Sequence, residues 1–376
     1  MMSTRIDQKR EPKLSYVPES LNLRGVNERQ QLRLNLDIPM HRVFNGFNIA
    51  PAFGLSDGIR MAVLCYFRNS LSWEDIITVT FLSGGTGTPK LLQGARLVLK
   101  DKDIAVIVNT AEDLWYQGGH ISPDIDTVMY LFAGILNTKT WWGIEGDTFV
   151  THEQFRTLGV DTYLAVGDRD RAVELFRGEL LKGGMTLSQA TSEICSRLSV
   201  QASVHPMTDT EYTTMIETEG GIIHFQEYWV RHRGSVAIKK VLRVPDTRPD
   251  AYAGALETME KSDLIIIGPS NPITSISPIL ECNGVVDLLK KKPVVAVSPF
   301  IGDKPVSGPA RDLMVALGFE PTSAGVYAAY ADFVDLFVQD IRDPVEVPGA
   351  IRCDTLMTSP EIAKGIMDLI LTHMPV

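Results

Sequence analysis

Long apolar runs are missing from this chain: nowhere in its 376 residues does a hydrophobic stretch approach the roughly 18 residues that a membrane span needs. The first residues are polar and charged, without the apolar segment of a secretory signal. Cysteine is scarce. Cys65, Cys195, Cys282 and Cys353 are scattered and form no Cys-x-x-Cys pair, which argues against a disulfide framework or a zinc knuckle and for reduced thiols in the core. Positive charge is short as well. A formal net charge of −10 and a pI near 5.3 leave no basic face for a nucleic-acid backbone. A small anionic ligand is still compatible, because it needs only a local positive field. His120, His205 and His224 lack metal-ligand spacing and read as ordinary hydrogen-bonded histidines. Repeats and low-complexity linkers are absent too. The expectation is a soluble, cytoplasmic protein with neither nucleic acid nor membrane as partner.

What is present is a 44% hydrophobic chain, long enough for one large α/β domain or two smaller ones. Residues 1–75 stand apart. Residues 1–35 are rich in Arg, Gln and Asn with weak periodicity, and 39–69 are more apolar but carry no recognisable site. They read as an N-terminal extension, partly disordered. Periodic structure begins at Ile76.

Residues 76–82 form a β-branched and apolar run of strand length, followed by Ser83-Gly84-Gly85-Thr86-Gly87-Thr88-Pro89-Lys90. Leu91, Leu92, Ala95, Val98 and Leu99 then share a helical face, and Pro89 suits the first turn of that helix. Residues 104–108 are a second strand, nearly all apolar, as a parallel strand covered on both faces should be. Ser122-Pro123 reads as a helix start. Thr151 with Gln154, and Thr186 with Gln189, have capping-box spacing. Residues 213–230 suggest a hairpin around Glu219-Gly220-Gly221, and 236–244 a further strand. Strands at 263–267, 293–297 and 335–339 follow, with a closing amphipathic helix over 361–372. Alternating strands and helices predict a doubly wound, mostly parallel, Rossmann-like α/β sheet over residues 76–376. Residues 151–244, with antiparallel pattern and clustered helices, read as an inserted α+β subdomain or cap.

Several groups of residues could carry chemistry. The glycine turn fits neither the dinucleotide fingerprint nor the Walker A loop, since Lys90 stands between Pro89 and Leu91. Its glycines, Thr86, Thr88 and Lys90 still suit an anion at a helix N-terminus, although a plain tight turn is compatible. Glu112, Asp113, Asp124 and Asp126 lie near strand ends, where carboxylates can hold Mg²⁺ or orient a hydroxyl, or merely complement a helix dipole. In Gly167-Asp168-Arg169-Asp170-Arg171, Arg169 or Arg171 could clamp a phosphate; a self-paired charge cluster is the alternative. Ser270-Asn271-Pro272-Ile273-Thr274 offers short polar donors after a strand, or a capped turn. Trp141-Trp142 and residues 224–229 are aromatic enough to stack a flat ring, although core packing is the commoner use.

Taken together, and in this order, the glycine turn, Asn109-Thr110-Ala111-Glu112-Asp113, Ile121-Ser122-Pro123-Asp124-Ile125-Asp126-Thr127, Gly167-Asp168-Arg169-Asp170, His224-Phe225-Gln226, Gly268-Pro269-Ser270-Asn271-Pro272-Ile273-Thr274-Ser275-Ile276, Val297-Ser298-Pro299 and Val306-Ser307-Gly308-Pro309-Ala310 resemble the 2-phospho-L-lactate transferase family. The resemblance runs from about Thr78 to the C-terminus and does not reach residues 1–75. It implies a step in making the deazaflavin coenzyme F-420. A phospholactyl or phosphoenolpyruvyl group passes from a guanylylated diphosphate to the ribityl hydroxyl of 7,8-didemethyl-8-hydroxy-5-deazariboflavin. GMP is released, Mg²⁺ is required, and members are usually homodimers. On that resemblance, Gly84, Gly85, Thr86, Gly87, Thr88, Lys90, Arg169, Ser270, Asn271 and Thr274 hold the guanylyl diphosphate. Asp126, Asn109 and Glu112 meet the deazaflavin. Asp124 and Asp126 are the catalytic and metal-binding pair, their roles interchangeable, with Glu112 or Asp168 as further metal candidates. One departure is Ala165, where relatives often carry a basic or polar residue. The rival reading is a non-catalytic regulatory protein of the same fold that binds nucleotide-sugars.

Overall fold

The computed structural model describes residues 77–374, apart from 303, 306 and 307, so the N-terminal extension expected over 1–75 lies outside the described residues. Seven strands, β1 (Val79–Ser83), β2 (Ile104–Val108), β3 (Ser203–Pro206), β4 (Leu264–Ile267), β5 (Val294–Val297), β6 (Leu336–Asp340) and β7 (Ile351–Cys353), form one sheet. Every pairing in it is parallel, in the order β7-β6-β5-β4-β1-β2-β3. The period of two along each strand divides the apolar side chains between two cores. Phe81, Val106 and Ile266 face one; Leu82, Ile107 and Ile267 face the other. Both faces are covered, which is why the central strands read as unbroken apolar runs.

The helices are α1 (Gly87–Ala95), α2 (Pro123–Phe132), α3 (Val150–Thr157), α4 (Asp168–Lys182), α5 (Leu187–Arg197), α6 (Ala253–Lys261), α7 (Ser277–Glu281), α8 (Val285–Leu289), α9 (Ala310–Ala316), α10 (Ser323–Tyr330) and α11 (Pro360–Thr372). Helices α1, α2, α5 and α11 pack on the first core, and α6 to α10 on the second. The α1–α11 contact is close enough to need Gly94: a Cβ there would stand 2.2 Å from the Ala363 carbonyl carbon.

The strand order places the topological switch between β1 and β4. The chain leaves β1 toward β2 and β3 on one side and returns at β4 on the other. The loops at the carboxyl ends of these two strands meet there, Thr88 of one bonding Ser270 of the other at 2.7 Å, and it is beside such a switch point that open α/β sheets bind ligands. The glycine turn follows β1, and Ser270-Asn271 follows β4.

Three short antiparallel pieces complete the fold among the described residues: a hairpin of Leu114–Tyr116 with Gly119–Ile121, a ribbon with Thr213–Thr218 between Gly221–His224 and Lys240–Val244, and a two-residue pairing of Phe300–Ile301 with Lys304–Pro305. Within 151–244, the range read as an insertion, Ser203–Pro206 belongs to the main sheet, and the ribbon stands apart from it. Edge strands β3 and β7 and the 114–121 hairpin carried no strand pattern, being three or four residues long.

The Thr186–Gln189 capping box is present. The one expected at Thr151 is not. Helix α3 starts at Val150, and its first amides, Val150 N and Thr151 N, donate to the Asp168 carboxylate at 2.9 and 2.8 Å. Asp147 reciprocates by accepting from Arg169 N and Asp170 N at 2.9 and 3.0 Å, so each helix is capped by an aspartate preceding or opening the other. A carboxylate from another segment displaced the local threonine.

Candidate active site

The glycine turn is fastened before any ligand reaches it. Ser270 Oγ accepts from Gly84 N at 3.0 Å and from Thr88 N at 3.3 Å, and bonds the Thr88 hydroxyl at 2.7 Å. Thr88 and Ser270 are buried. They lock the two loops of the switch point together. Asn271 turns its side-chain oxygen into its own loop, accepting from Ile273 N at 3.0 Å and Thr274 N at 3.4 Å. What the turn leaves toward the crevice is Gly85, Thr86 and the N-terminus of α1, where the dipole favours an anion.

A cavity of about 370 Å³ adjoins the turn. Gly85, Thr86, Glu112, Asp124 and Asp126 line it on one side, and Trp141, Trp142 and Trp229 on another. Asn109 follows β2 and aims its amide at Asp124: Nδ2 donates to Oδ2 at 2.9 Å, while its carbonyl oxygen accepts from Ala111 N at 3.0 Å. Gly85 lies against the same carboxylate, so that a Cβ there would meet Asp124 Oδ1 at 2.4 Å. Burial raises the Asp124 carboxyl to about 7, against the pull of Asn109 and the Gly85 N–H. Burial also raises Glu112 well above the usual carboxylate range, and the charge on Asp124 adds to it. Gln226 Nε2 donates to Glu112 Oε2 at 3.0 Å, and the Thr274 hydroxyl beside Glu112 pulls the other way from burial. Two buried carboxyls thus repel each other beside an anion-seeking helix end. A divalent cation relieves such repulsion, and Mg²⁺ typically takes only one or two carboxylates plus water and phosphate oxygens. Asp124 and Glu112 suit it. Among the described residues, no three acidic, histidine or cysteine side chains form a complete metal cage.

Asp126 is held differently. Arg177, reaching in from α4, pairs Nη2 with Oδ1 and donates from Nη1 to Oδ2 at 3.1 Å, while Nη1 also donates to the His120 carbonyl at 2.9 Å. The pair is buried on both sides. With its charge already matched by a guanidinium, Asp126 is a poorer metal ligand than Asp124 and a well-oriented hydrogen-bond acceptor. Asp113, the fourth acid of the set, accepts from Ser122 Oγ at 2.6 Å, and burial pushes its carboxyl well up.

Further round the wall, Asp170 accepts from the Tyr130 hydroxyl at 2.7 Å and is raised to about 7, first by burial and then by Asp126. Glu174, 2% exposed, is raised to about 9 by burial and then by Asp170. Trp142 and Trp229 keep 45% and 38% of their surface exposed, so these tryptophans form a wall and are not core. Trp141 has φ +62°, an uncommon conformation for so bulky a residue, and Lys90 Nζ sits 5.3 Å from its ring centroid. Burial lowers the Lys90 ammonium.

Most of the expected site residues therefore meet around one crevice, as lining or directly behind it. Two do not. Arg169 is exposed and donates to the Glu145 carbonyl at 3.2 Å, outside the cavity lining, and Arg171 stacks on Phe155 at 5.0 Å. Asp168 is occupied as the cap of α3, which leaves it no metal role. Ala165 lines the cavity, as Tyr163, Leu164 and Val166 do. Arg177 was not foreseen. Its signal was the spacing of Asp170, Arg171, Glu174, Arg177 and Gly178, which form the buried face of α4 although four of the five are charged.

Comparison with known proteins gives a consistent picture. The family model for 2-phospho-L-lactate transferase CofD matches residues 79–348. The 2-phospho-L-lactate transferase of Methanospirillum hungatei is 57% identical over 296 residues, covering 79% of this chain and 100% of that protein. Those of Methanocorpusculum labreanum and Methanocaldococcus jannaschii are 50% and 44% identical, covering 79% and 76% of this chain and 99% and 92% of theirs. A crystal structure of a UPF0052 family protein from Bacillus halodurans aligns with a TM-score of 0.54 at 18% identity, over 78% of this chain and 98% of that one, which is a likeness of fold.

Proposed function

The chain belongs to the 2-phospho-L-lactate transferase family, and from that premise we propose that it moves a phospholactyl or phosphoenolpyruvyl group from a guanylylated diphosphate to the ribityl hydroxyl of 7,8-didemethyl-8-hydroxy-5-deazariboflavin, in coenzyme F-420 biosynthesis. The observation that carries this reading is the joining of two half-sites. A helix N-terminus bounded by glycines opens beside Asp124 and Glu112, and the same cavity continues to Asp126 and a tryptophan wall. One half suits a diphosphate and the other a flat heterocycle bearing a hydroxyl.

In the proposed reaction the ribityl oxygen bonds to the phosphorus that carries the three-carbon acid. The bond from that phosphorus to the bridging oxygen breaks, and GMP leaves with the bridging oxygen. The hydroxyl proton passes to an acceptor in the cavity. Positioning and charge neutralisation supply most of the catalysis in such transfers. The backbone around Gly84, Gly85 and Gly87 holds the diphosphate, with Thr86 and Lys90 beside it. Thr88, Ser270, Asn271 and Thr274 support that loop. Asp126 accepts a hydrogen bond from the acceptor and orients it, and Asn109 fixes Asp124. Asp124 and Glu112 would hold Mg²⁺, which would supply charge neutralisation on the diphosphate. We take Arg169 to contribute only indirectly, through the loop that carries Glu145. The same reading makes the protein a cytoplasmic homodimer working on small molecules. Light scattering in solution tests the dimer.

The direct experiment incubates the protein with the deazaflavin, Mg²⁺ and either the lactyl or the enolpyruvyl donor. GMP and a phosphorylated deazaflavin should appear together in equal amounts. Their absence with both donors would sink the proposal, and the faster donor identifies the three-carbon acid.

A further inference from the structure

We propose that Arg177 is the positioning residue of the acceptor half-site: its guanidinium fixes the plane of the Asp126 carboxylate, and so the direction in which Asp126 accepts a hydrogen bond from the deazaflavin. This rests on the reading of Asp126 as the acceptor's contact.

The geometry has three parts. First, Asp126 lines the cavity and Arg177 does not; Arg177 is 0% exposed and lies behind the carboxylate. Anything Arg177 does to a ligand therefore passes through Asp126. Second, the guanidinium engages both carboxylate oxygens, Nη2 on Oδ1 and Nη1 on Oδ2 at 3.1 Å. That fork blocks rotation of the carboxylate about its own axis, which a single point donor does not. Each carboxylate oxygen still has a second lone-pair site for a ligand. Third, Nη1 also bonds the His120 carbonyl at 2.9 Å, so one side chain of α4 ties the 114–121 hairpin to the first turn of α2. The Ser122 N–H, 3.4 Å from Oδ2, adds a weak fourth constraint.

The surroundings explain why the carboxylate needs this partner. Asp113, Asp170 and Glu174 all lie close enough to feel the charge of Arg177. Without the guanidinium, Asp126 would face those acids alone in a buried wall. It would then turn away, and that spoils an acceptor aimed at the cavity. The donor half-site shares none of these bonds. Gly84 and Thr88 are fixed by Ser270, and Asp124 by Asn109. Losing Arg177 should therefore damage recognition of one substrate and spare the other.

The test is a double-mutant cycle on the transfer reaction, with Arg177→Gln, Asp126→Asn and the two combined. Wild-type turnover is established first; its absence defeats the functional reading itself and is thereby distinguishable from failure of this inference. Each single variant should lower kcat/KM for the deazaflavin at least about thirtyfold while the KM of the guanylylated donor stays within about threefold. The combined variant should be no worse than the poorer single, because both substitutions remove one function. Binding of the deazaflavin alone, without donor, should weaken in the same pattern. If Arg177→Gln does not fold, Arg177→Lys replaces it in the cycle; it keeps the charge, loses the fork and should still impair the acceptor selectively. Multiplying losses in the combined variant would overturn the proposal. So would equal damage to both substrates, or wild-type acceptor kinetics in a folded Arg177→Gln or Arg177→Lys.

Discussion

At the residue scale, the donor half-site depends on how closely backbone and carboxylate approach one another. Gly85 is needed for that approach: its conformation is open to other residues, but the space its Cβ would fill is taken by Asp124 Oδ1, 2.4 Å away. Gly85→Ala should therefore push Asp124 off the Asn109 amide. Because misplacement of about 1 Å can cost about a hundredfold in rate, kcat should fall by about that factor while the protein remains folded. Steady-state kinetics beside a melting curve checks this, and unchanged kcat would show that Asp124 is not needed in its present position. The glycine turn was legible in the sequence because it broke both standard fingerprints in a specific way. What could not be read was which donors face the crevice. Thr88 and Ser270 bond each other across the switch point, a pairing 182 residues apart that no local pattern reveals. Arg169 was the natural guess in its motif by proximity to the helix start, but Asp147 already occupies that helix end.

Helix α4 buries charged side chains beside the apolar Val173, Phe176 and Leu180 that pack on the first core, and that has a measurable consequence at the scale of the element. Its inward face carries Asp170, Arg171, Glu174 and Arg177. Glu174 goes from a usual 4.5 to about 9 through burial and neighbouring acids. A carboxyl whose folded value is raised holds a proton that the unfolded chain releases. Its contribution is intact below about 4.5 and is lost progressively as pH rises toward about 9. Asp170, raised to about 7, acts in the same direction over the lower part of that window. The melting temperature should decline as pH rises through this range, and Glu174→Gln, neutral at every pH, should flatten the decline and raise the melting temperature at the alkaline end. Calorimetry on both proteins decides it; parallel curves would show that Glu174 is ionised in the fold. Such a face is readable in principle from the spacing of the charges, but only once the opposite face is known to be the exposed one.

A second element is the strap of residues 161–166, whose Tyr163, Leu164, Ala165 and Val166 line the cavity. Arg231 pairs with Asp161 and Glu227 and stacks over Tyr163 at 4.5 Å, while the Tyr116 hydroxyl donates to the Asp161 carbonyl at 2.9 Å. Exposed pairs of this kind contribute little to stability, about 0–1 kcal/mol. Their use here is to keep Tyr163 and Leu164 on the cavity wall. Arg231→Ala should leave the melting temperature nearly unchanged and raise the KM for the deazaflavin several-fold, about the effect of losing one wall contact. An unaltered KM for both substrates would remove the strap from the site.

For the whole molecule, the parallel sheet was legible because β-branched strands covered on both faces leave continuous apolar runs, and because the turns after β1 and β4 are rich in small polar residues. The edges were not, since β3 and β7 pair on one side only and are too short to show a period. The sheet order nonetheless fixes where ligand binding must couple to folding, at the switch between β1 and β4, where loops from two distant parts of the chain meet. A nucleotide bound there stabilises both at once. Saturation to about a hundredfold over Kd adds about 2.7 kcal/mol, several degrees for a domain of this size. Thermal melts with GDP as donor analogue should show such a rise, larger with Mg²⁺ present. The Mg²⁺-dependent increment should vanish in Asp124→Asn and persist in Asp126→Asn, because Asp126 is matched by Arg177 while Asp124 and Glu112 are left to repel each other. Equal loss in the two variants would return Asp126 to the metal, and an increment surviving in both would place the metal elsewhere in the crevice.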